Sequence, residues 1–293
     1  MTVPPTAPVE LSRSRHGPFE RIHLSSPLGR HTATLSVYRV GDLLIDTGGT
    51  RVAAALVEAL RDHPPRRIVC THQHEDHAGA ATSLRRAFGA IPVHVPAAHV
   101  ALLRSFDRVP PYRASHWGNP EPVPDAIGFE EGAVFESGGV ALEAVPTPGH
   151  TPGHMALVAR VGGEQLALTG DLYTGPRPLA AFFESAADDL VRSCRLLAAR
   201  GAGLRMLPTH GRVRGDGAVA LAEVADLVER HAEAVLAASQ RLGTREPSAV
   251  ARQVFGAEGE MAGASGGEFS FAAFVRSVLD PVRALPATPV RLA

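Results

Sequence analysis

The feature that most restricts how this chain can fold is a dense group of potential metal ligands, Thr71-His72-Gln73-His74-Glu75-Asp76-His77-Ala78-Gly79. The group follows an apolar run at 68–70 that indicates a buried strand, and it precedes a helical pattern. A strand end leaves side chains projecting from the sheet edge, and a tight loop can turn several of them toward one point. Because buried polar groups are costly unless they are paired or ligated, a solvated loop with chance histidines is the weaker interpretation. Neutral imidazoles and carboxylates suit zinc, iron or manganese.

Strand and helix patterns alternate on both sides of this group, over residues 22–210. Apolar residues recur at helical spacing at Ala53, Leu56, Val57 and Leu60, which predicts a helix there. The predicted strands lie at 34–40, 43–45, 68–70, 91–95, 140–145, 155–159, 166–169 and 205–207, with a further helix at 188–199. This order predicts a layered α/β domain.

We divide the chain into three segments. Residues 1–20 are rich in proline and serine, which predicts a loose lead-in. Residues 21–215 form the main α/β domain, and the one-sided apolar stripe that begins at Leu221 predicts a helical appendage over 216–293. Residues 107–132 are proline-rich and lack periodicity, and we expect a long irregular loop that lines a site or acts as a lid.

Composition restricts the location and the partners. The formal net charge is -1 and no basic stripe is present, which argues against a dedicated binder of duplex DNA but leaves single-stranded nucleic acid open. The two cysteines, Cys70 and Cys194, are too few for a disulfide framework, so we interpret both as buried small hydrophobes. Neither a secretory leader pattern nor a membrane-length apolar run is evident, and we expect a cytoplasmic protein without a membrane partner.

The histidine-rich segment resembles the signature of the metallo-β-lactamase superfamily. Four further landmarks agree with that resemblance in order and context: Ile45-Asp46-Thr47-Gly48, the run Thr147-Pro148-Gly149-His150-Thr151-Pro152-Gly153-His154, Leu168-Thr169-Gly170-Asp171 and Leu207-Pro208-Thr209-His210-Gly211. The resemblance covers about residues 30–215. It implies a four-layer αββα sandwich, here with a small C-terminal helical domain, and the activity of a soluble metal-dependent hydrolase.

Carried over residue by residue, the resemblance implies two divalent metal ions, with Zn²⁺ preferred and Fe or Mn as alternatives. One ion would be held by His72, His74 and His150, the other by Asp76, His77 and His210, and Asp171 would bridge them. Asp76 would also orient the attacking hydroxide and relay its proton. We expect Asp46 and His154 to support the ligands rather than to bind metal. Two ions about 3.5–4 Å apart can share a water and lower its pKa to near neutrality.

The substrate contacts are less well defined. Tyr112, His116 and Trp117 lie in the 107–132 segment and form our candidate substrate-facing wall, with a hydrophobic anchor for the loop as the alternative. Tyr173, two residues past the bridging position, is a further candidate.

Three functions remain open, because folds of this kind host many chemistries. We favour hydrolysis of a small carbonyl substrate, which would be a thioester, ester or lactone. The alternatives are a phosphodiesterase or endoribonuclease on single-stranded RNA, and an iron-dependent persulfide dioxygenase. No Gly-x-Ser-x-Gly element competes with a metal mechanism.

The tail resembles the β-lactamase-like-2 subgroup, which carries a winged-helix C-terminal domain and includes a single-stranded RNA endonuclease. A fungal polyketide thioesterase branch shares the same layout, so the tail does not choose between ester and phosphodiester substrates. No oligomeric state is predicted.

Overall fold

The computed structural model describes residues 9–28, 31–106 and 109–285. The chain forms two compact units. Among the described residues, the first unit comprises those up to 144 together with 159–163 and 209–211, and the second unit comprises the remainder. None of the helices in the described part combines the length and apolar character that crossing a bilayer requires.

The first unit is built on a seven-stranded sheet with its strands in sequence order. The strands are β1 (Glu10–His16), β2 (Phe19–Leu28), β3 (His31–Val40), β4 (Leu43–Ile45), β5 (Arg67–Val69), β6 (Val93–Pro96) and β7 (Ile127–Phe129). The first four pair antiparallel, and β4 to β7 pair parallel. The ends of the parallel strands β4 and β5 therefore lead into neighbouring loops, as expected for parallel strands joined by crossovers.

Five helices accompany this sheet: α1 (Ala53–Leu60), α2 (Glu75–Ala78), α3 (Ala81–Phe88), α4 (Val100–Ser105) and α5 (Pro111–Trp117). Their apolar faces join the sheet in one core, in which Leu56 of α1 and Leu84 of α3 are fully buried with Ile68 of β5. Gly89 ends α3 with a φ of 96°, a backbone conformation that residues with a Cβ atom rarely adopt.

A second, five-stranded sheet has the order β12-β11-β10-β9-β8. Its strands are β8 (Val134–Ser137), β9 (Val140–Pro146), β10 (Met155–Val161), β11 (Glu164–Gly170) and β12 (Leu204–Pro208). Within the second unit, β11 and β12 run parallel, with Leu168 opposite Leu207 and a register shift before Gly170. Two sheets with interspersed helices confirm the predicted α/β class.

The second unit contains α6 (Ala187–Ala198), α7 (Gly217–Leu242), α8 (Pro247–Phe255), α9 (Glu260–Ala264) and α10 (Phe271–Leu279). The buried face of α7 includes Leu221, Val224 and Val228, and it joins one core with α6, α8, α10 and β12. The helical character of the C-terminal region is confirmed, while the boundary between 215 and 216 stays a prediction. A winged-helix domain contains a pair of β-strands that forms its wing. Over residues 216–285 the structure instead has helices and one residue in an isolated β-bridge, Ser270.

The prediction of a loose lead-in is wrong for residues 10–20, because β1 pairs along its whole length with β2. The sequence hides this strand because most of its side chains are exposed and show no apolar alternation. Backbone pairing holds it, and Arg13 bonds Glu20 of β2 at 3.0 Å. Residues 1–8 lie outside the described part of the chain.

The prediction of a long irregular loop over 107–132 is also wrong, because this segment contains α5 and β7. Pro111 occupies the first turn of α5, where its fixed φ favours the helix and its missing N–H costs no hydrogen bond. Proline therefore starts this helix. Strand β7 is three residues long, too short to show a period.

Candidate metal centre

The loop after β5 brings three histidines together in the first unit. His72 Nε2 lies 3.0 Å from His74 Nδ1, and the rings of His72 and His77 are 3.9 Å apart. His74 stands at the N-terminus of the one-turn helix α2, which carries Asp76 and His77. All four side chains are buried. The short helix thus turns residues that follow a strand end toward one region, as the sequence pattern predicts.

Asp46 supports this loop from the end of β4. Its Oδ2 accepts a hydrogen bond from His77 Nδ1 at 2.8 Å, and its Oδ1 accepts one from the Thr71 backbone N–H at 2.8 Å. Thr209 donates to the same carboxylate at 3.3 Å. Because His77 Nδ1 is the donor, its Nε2 carries the lone pair, which is the form a metal ligand requires. Asp46 itself has a φ of 59°, in the left-handed region.

His210 belongs to the same unit and is positioned by β3. Its Nδ1 donates to the Thr34 carbonyl at 2.9 Å, and the Ser36 N–H donates to the Thr209 carbonyl at 2.8 Å. Arg21 adds a hydrogen bond to the Gly211 carbonyl at 2.8 Å. These bonds hold the loop on both sides of His210, which is why a residue so distant in sequence reaches the histidine cluster.

The arrangement around Asp76 fits a cation. Asp76 Oδ2 lies 2.9 Å from His210 Nε2 and 3.7 Å from His77 Nε2. The ligand atoms of Asp76, His77 and His210 lie within 4.8 Å of one another. Both imidazoles donate through Nδ1, so two nitrogen lone pairs and a carboxylate point at one region. A divalent cation satisfies all three, since neutral imidazole and carboxylate are its ordinary ligands.

The second unit contains His150, His154 and Asp171, which are also predicted to take part in metal binding. His150 Nε2 lies 3.4 Å from Asp171 Oδ2. His154 Nε2 accepts from the Asp171 backbone N–H at 3.1 Å, and its Nδ1 lies 2.9 Å from Thr147 Oγ1. His154 thereby holds the backbone that carries Asp171, and its role in supporting a metal ligand stays a prediction.

Cysteine does not add to this donor set. Burial raises the pKa of the Cys70 thiol well above its ordinary value, and burial raises the pKa of Cys194 to about 12. Both thiols are therefore protonated at neutral pH, whereas metal ligation needs a thiolate. Imidazole and carboxylate remain the available ligands.

The segment predicted as a substrate wall is helical, and its end lies beside His210. The Trp117 ring is 5.9 Å from the His210 ring. A Cβ at Gly49 would collide with the Trp117 carbonyl, so the turn at 46–49 and the end of α5 are in close contact. His116 Nδ1 bonds the Tyr112 carbonyl at 2.7 Å within the same helix. Trp117 therefore lies close to a predicted ligand.

Tyr173 has different surroundings from those expected. It is 4% exposed and belongs to the hydrophobic core of the second unit, with Leu172 and Met206. The proposed ligand Asp171 is similarly buried, at 6% exposure, and a substrate contact by Tyr173 stays a prediction.

Sequence reasoning missed two groups beside the site. Glu75 and Arg113 form a buried ion pair at 3.8 Å, which links the ligand loop to α5. The Phe182 ring lies edge-on to His150 with the ring centroids 5.1 Å apart. Neither contact could be predicted from the neighbouring sequence. Glu75 gives a partial indication, because a glutamate that is buried inside the ligand motif requires a partner for its charge.

Comparison with known proteins agrees with this geometry. A family model described as "Metallo-beta-lactamase superfamily" matches residues 29–210. A hydroxyacylglutathione hydrolase from Haemophilus influenzae is 31% identical over 134 residues, which are 44% of this chain and 59% of that protein. An atrochrysone carboxyl ACP thioesterase from Passalora fulva is 26% identical over 177 residues, covering 57% of this chain and 46% of the relative. The chain thus spans about half the length of these curated relatives.

Solved structures show the same fold. A beta-lactamase domain protein from Burkholderia ambifaria superposes with a TM-score of 0.63 at 17% identity, covering 88% of this chain and 85% of the other. A metallo-beta-lactamase family protein from Thermus thermophilus gives 0.62 at 20% identity, covering 92% and 90%. These likenesses confirm the predicted sandwich, with its helical C-terminal region.

Proposed function

The chain belongs to the metallo-β-lactamase superfamily of metal-dependent hydrolases, and from this premise we propose that it hydrolyses a small carbonyl substrate, namely a thioester, ester or lactone. The observation that carries the proposal is the convergence of His77, His210 and Asp76, two lone-pair nitrogens and a carboxylate directed at one region. The names of two relatives, an acylglutathione hydrolase and an acyl-carrier-protein thioesterase, favour an acyl substrate.

The proposed ligand set is the one implied by the sequence. His72, His74 and His150 would hold one divalent ion, Asp76, His77 and His210 the other, and Asp171 would bridge the two. Zn²⁺ is the preferred metal because the donors are imidazoles and carboxylates, and Fe or Mn would also suit them. When bound, two such ions act as Lewis acids and lower the pKa of a shared water.

The chain's own residues would set the geometry of the reaction. Asp76 is the proposed proton acceptor, because its Oδ2 faces two imidazole nitrogens and can orient a water molecule among them. Asp46 keeps His77 in the required tautomer through the 2.8 Å bond at Nδ1. His154 holds the Asp171 backbone. Buried, hydrogen-bonded groups of this kind are held in place before the reaction and need no reorganisation during it.

The two alternative functions have less support. Arg214, beside the His210 loop, is occupied by Asp216 through bonds of 2.8 and 2.7 Å, so it is not a ready phosphate ligand. The net charge of -1 also gives little electrostatic attraction for RNA. No described contact distinguishes iron from zinc. The cytoplasmic location stays a prediction.

Metal analysis combined with an activity screen tests the proposal. The purified protein would be analysed for zinc, iron and manganese and assayed with thioesters, esters, lactones, unstructured RNA and a glutathione persulfide. We expect about two ions per chain and turnover confined to the carbonyl substrates. RNA cleavage alone, or oxygen consumption with bound iron, would replace the proposal with one of the alternatives.

We further propose that Trp117 forms part of the substrate wall, with Tyr112 and His116 on the same helix. Replacing Trp117 with alanine is expected to raise KM about tenfold and leave metal content unchanged, since a large aromatic contact worth about 1.4 kcal/mol is removed. Steady-state kinetics on the best substrate of the screen measures this. Unaltered turnover and affinity would leave Trp117 as an anchor for α5 only.

A further inference from the structure

Two phenylalanines of the second unit lie next to each other, and one of them, Phe182, lies beside His150. The Phe182 ring approaches the His150 ring edge-on, at 5.1 Å and an interplanar angle of 87°. The Phe269 ring lies 5.5 Å from the Phe182 ring, tilted by 50°. An apolar surface therefore extends away from a proposed metal ligand. Both side chains are half-buried, in contrast to Phe274, which is enclosed in the core.

The position of Phe182 is tied directly to His150. Ser185 Oγ donates to the His150 carbonyl at 2.9 Å and accepts from the Phe182 N–H at 3.2 Å. The Ser185 N–H closes the turn by donating to the Phe182 carbonyl at 3.1 Å. The phenylalanine and the histidine therefore share one hydrogen-bonded turn, and movement of either would disturb the other.

Phe269 comes from the loop between α9 and α10, and this loop is also fixed. Its N–H donates to Ser265 Oγ at 2.9 Å. The next residue, Ser270, bridges Ala181 in an antiparallel pair and caps α10 through the Ala273 N–H at 3.0 Å. The C-terminal helical region thus places an aromatic ring next to the turn that carries Phe182.

We propose that Phe182 and Phe269 form an apolar subsite that binds the acyl chain of the substrate and sets its preferred length. The proposal rests on the hydrolase function proposed above and adds a substrate class, carbonyl compounds with an unbranched alkyl chain. Binding pockets are mainly apolar, with a few polar groups that fix orientation. The aromatic pair offers no charge, so it does not suit a polar carrier such as a glutathione or pantetheine arm.

The test uses acyl thioesters that share one thiol, N-acetylcysteamine, and differ only in the acyl chain, from acetyl to octanoyl. With the native protein, kcat/KM is expected to rise about fourfold for each methylene that becomes buried. Phe182→Ala and Phe269→Ala are expected to flatten this rise, because each removes apolar surface that the longer acyl chains would bury.

Phe183→Ala is the matched control. Phe183 is adjacent in sequence and of the same type, but its ring lies under the Arg276 guanidinium at 4.5 Å rather than beside His150. This variant is expected to keep the native dependence on chain length. Phe182→Leu keeps an apolar side chain at this position and is expected to retain most of the rise of kcat/KM with chain length. Comparing it with Phe182→Ala distinguishes loss of the subsite from loss of the fold.

A binding measurement gives a second readout. Octanoate should bind the native protein more tightly than acetate by calorimetry, and Phe269→Ala should remove the difference.

Each outcome decides one of the two proposals. If no carbonyl substrate is turned over, the hydrolase function fails. If acetyl thioester is turned over but chain length has no effect, or if the alanine variants keep the slope, the subsite is refuted and the hydrolase function stands. Equal loss of acetyl and octanoyl turnover in Phe182→Ala and Phe182→Leu would mean that Phe182 only positions His150, which also refutes the subsite.

Discussion

Replacing His74 with alanine is expected to lower kcat/KM about a thousandfold or more and to reduce the bound metal to about one ion per chain, because a Lewis acid contributes several kcal/mol to such a reaction. His74 Nδ1 lies 3.0 Å from His72 Nε2 in a buried loop. Elemental analysis after dialysis and steady-state kinetics measure the two effects.

His63→Ala is the control for this experiment. His63 is an exposed histidine of the same unit, and its described hydrogen bonds are made by its backbone: the carbonyl accepts from Arg39 at 3.0 Å, and the N–H donates to the Leu60 carbonyl at 3.1 Å. That variant should retain both ions and the native rate. Circular dichroism should show that both proteins are folded. Full activity and two bound ions in His74→Ala would contradict the ligand assignment.

Gly149→Ala is expected to be among the most destabilising single substitutions in the second unit. Gly149 has a φ of 137°, and a Cβ there would collide with the backbone of Leu190 in α6. Its carbonyl accepts from the Ala186 N–H at 2.8 Å, just before the helix. Backbone strain costs about 1–3 kcal/mol, and forcing atoms into a packed contact costs about 1–3 kcal/mol more.

Gly175→Ala separates these two contributions. Gly175 has the same φ of 137° but nothing within 4 Å of its Cβ position. It should therefore show the strain alone. Urea unfolding and thermal melts of both variants give the difference, and each kcal/mol lowers Tm by about 2–4 °C. Equal stability of the two variants would mean that α6 moves away at Leu190 without lowering the free energy of unfolding. Because Gly149 precedes His150, metal affinity should fall in Gly149→Ala as well.

The clustering of the candidate ligands in the first unit could be predicted from the sequence because its signal is local. His72, His74, Asp76 and His77 lie within six residues after an apolar strand, and few roles other than ligation explain that density. The support from Asp46 was also predictable, since an aspartate in a turn after a buried strand needs donors, and the structure supplies His77 and Thr71.

The remainder depends on contacts that local patterns do not encode. Strand β1 is held by backbone pairing at the sheet edge, so its side chains need no apolar period. Helix α5 was obscured by Pro110 and Pro111, which break a helix in its interior but begin one at its first turn. Phe182 lies beside His150 because two distant loops meet, and nothing in either loop alone indicates this.

The left-handed conformation of Asp46 limits which residues can replace it. Asparagine adopts that backbone region readily, so an Asp46→Asn variant should fold. The amide nevertheless presents one acceptor and one donor where the aspartate accepts on both sides, from Thr71 and from His77. Either the Thr71 N–H then meets another donor, or His77 changes tautomer and its Nε2 becomes protonated. A natural variant with asparagine at this position would be well folded but inactive. Its sequence similarity to an active enzyme would not reveal the loss of activity.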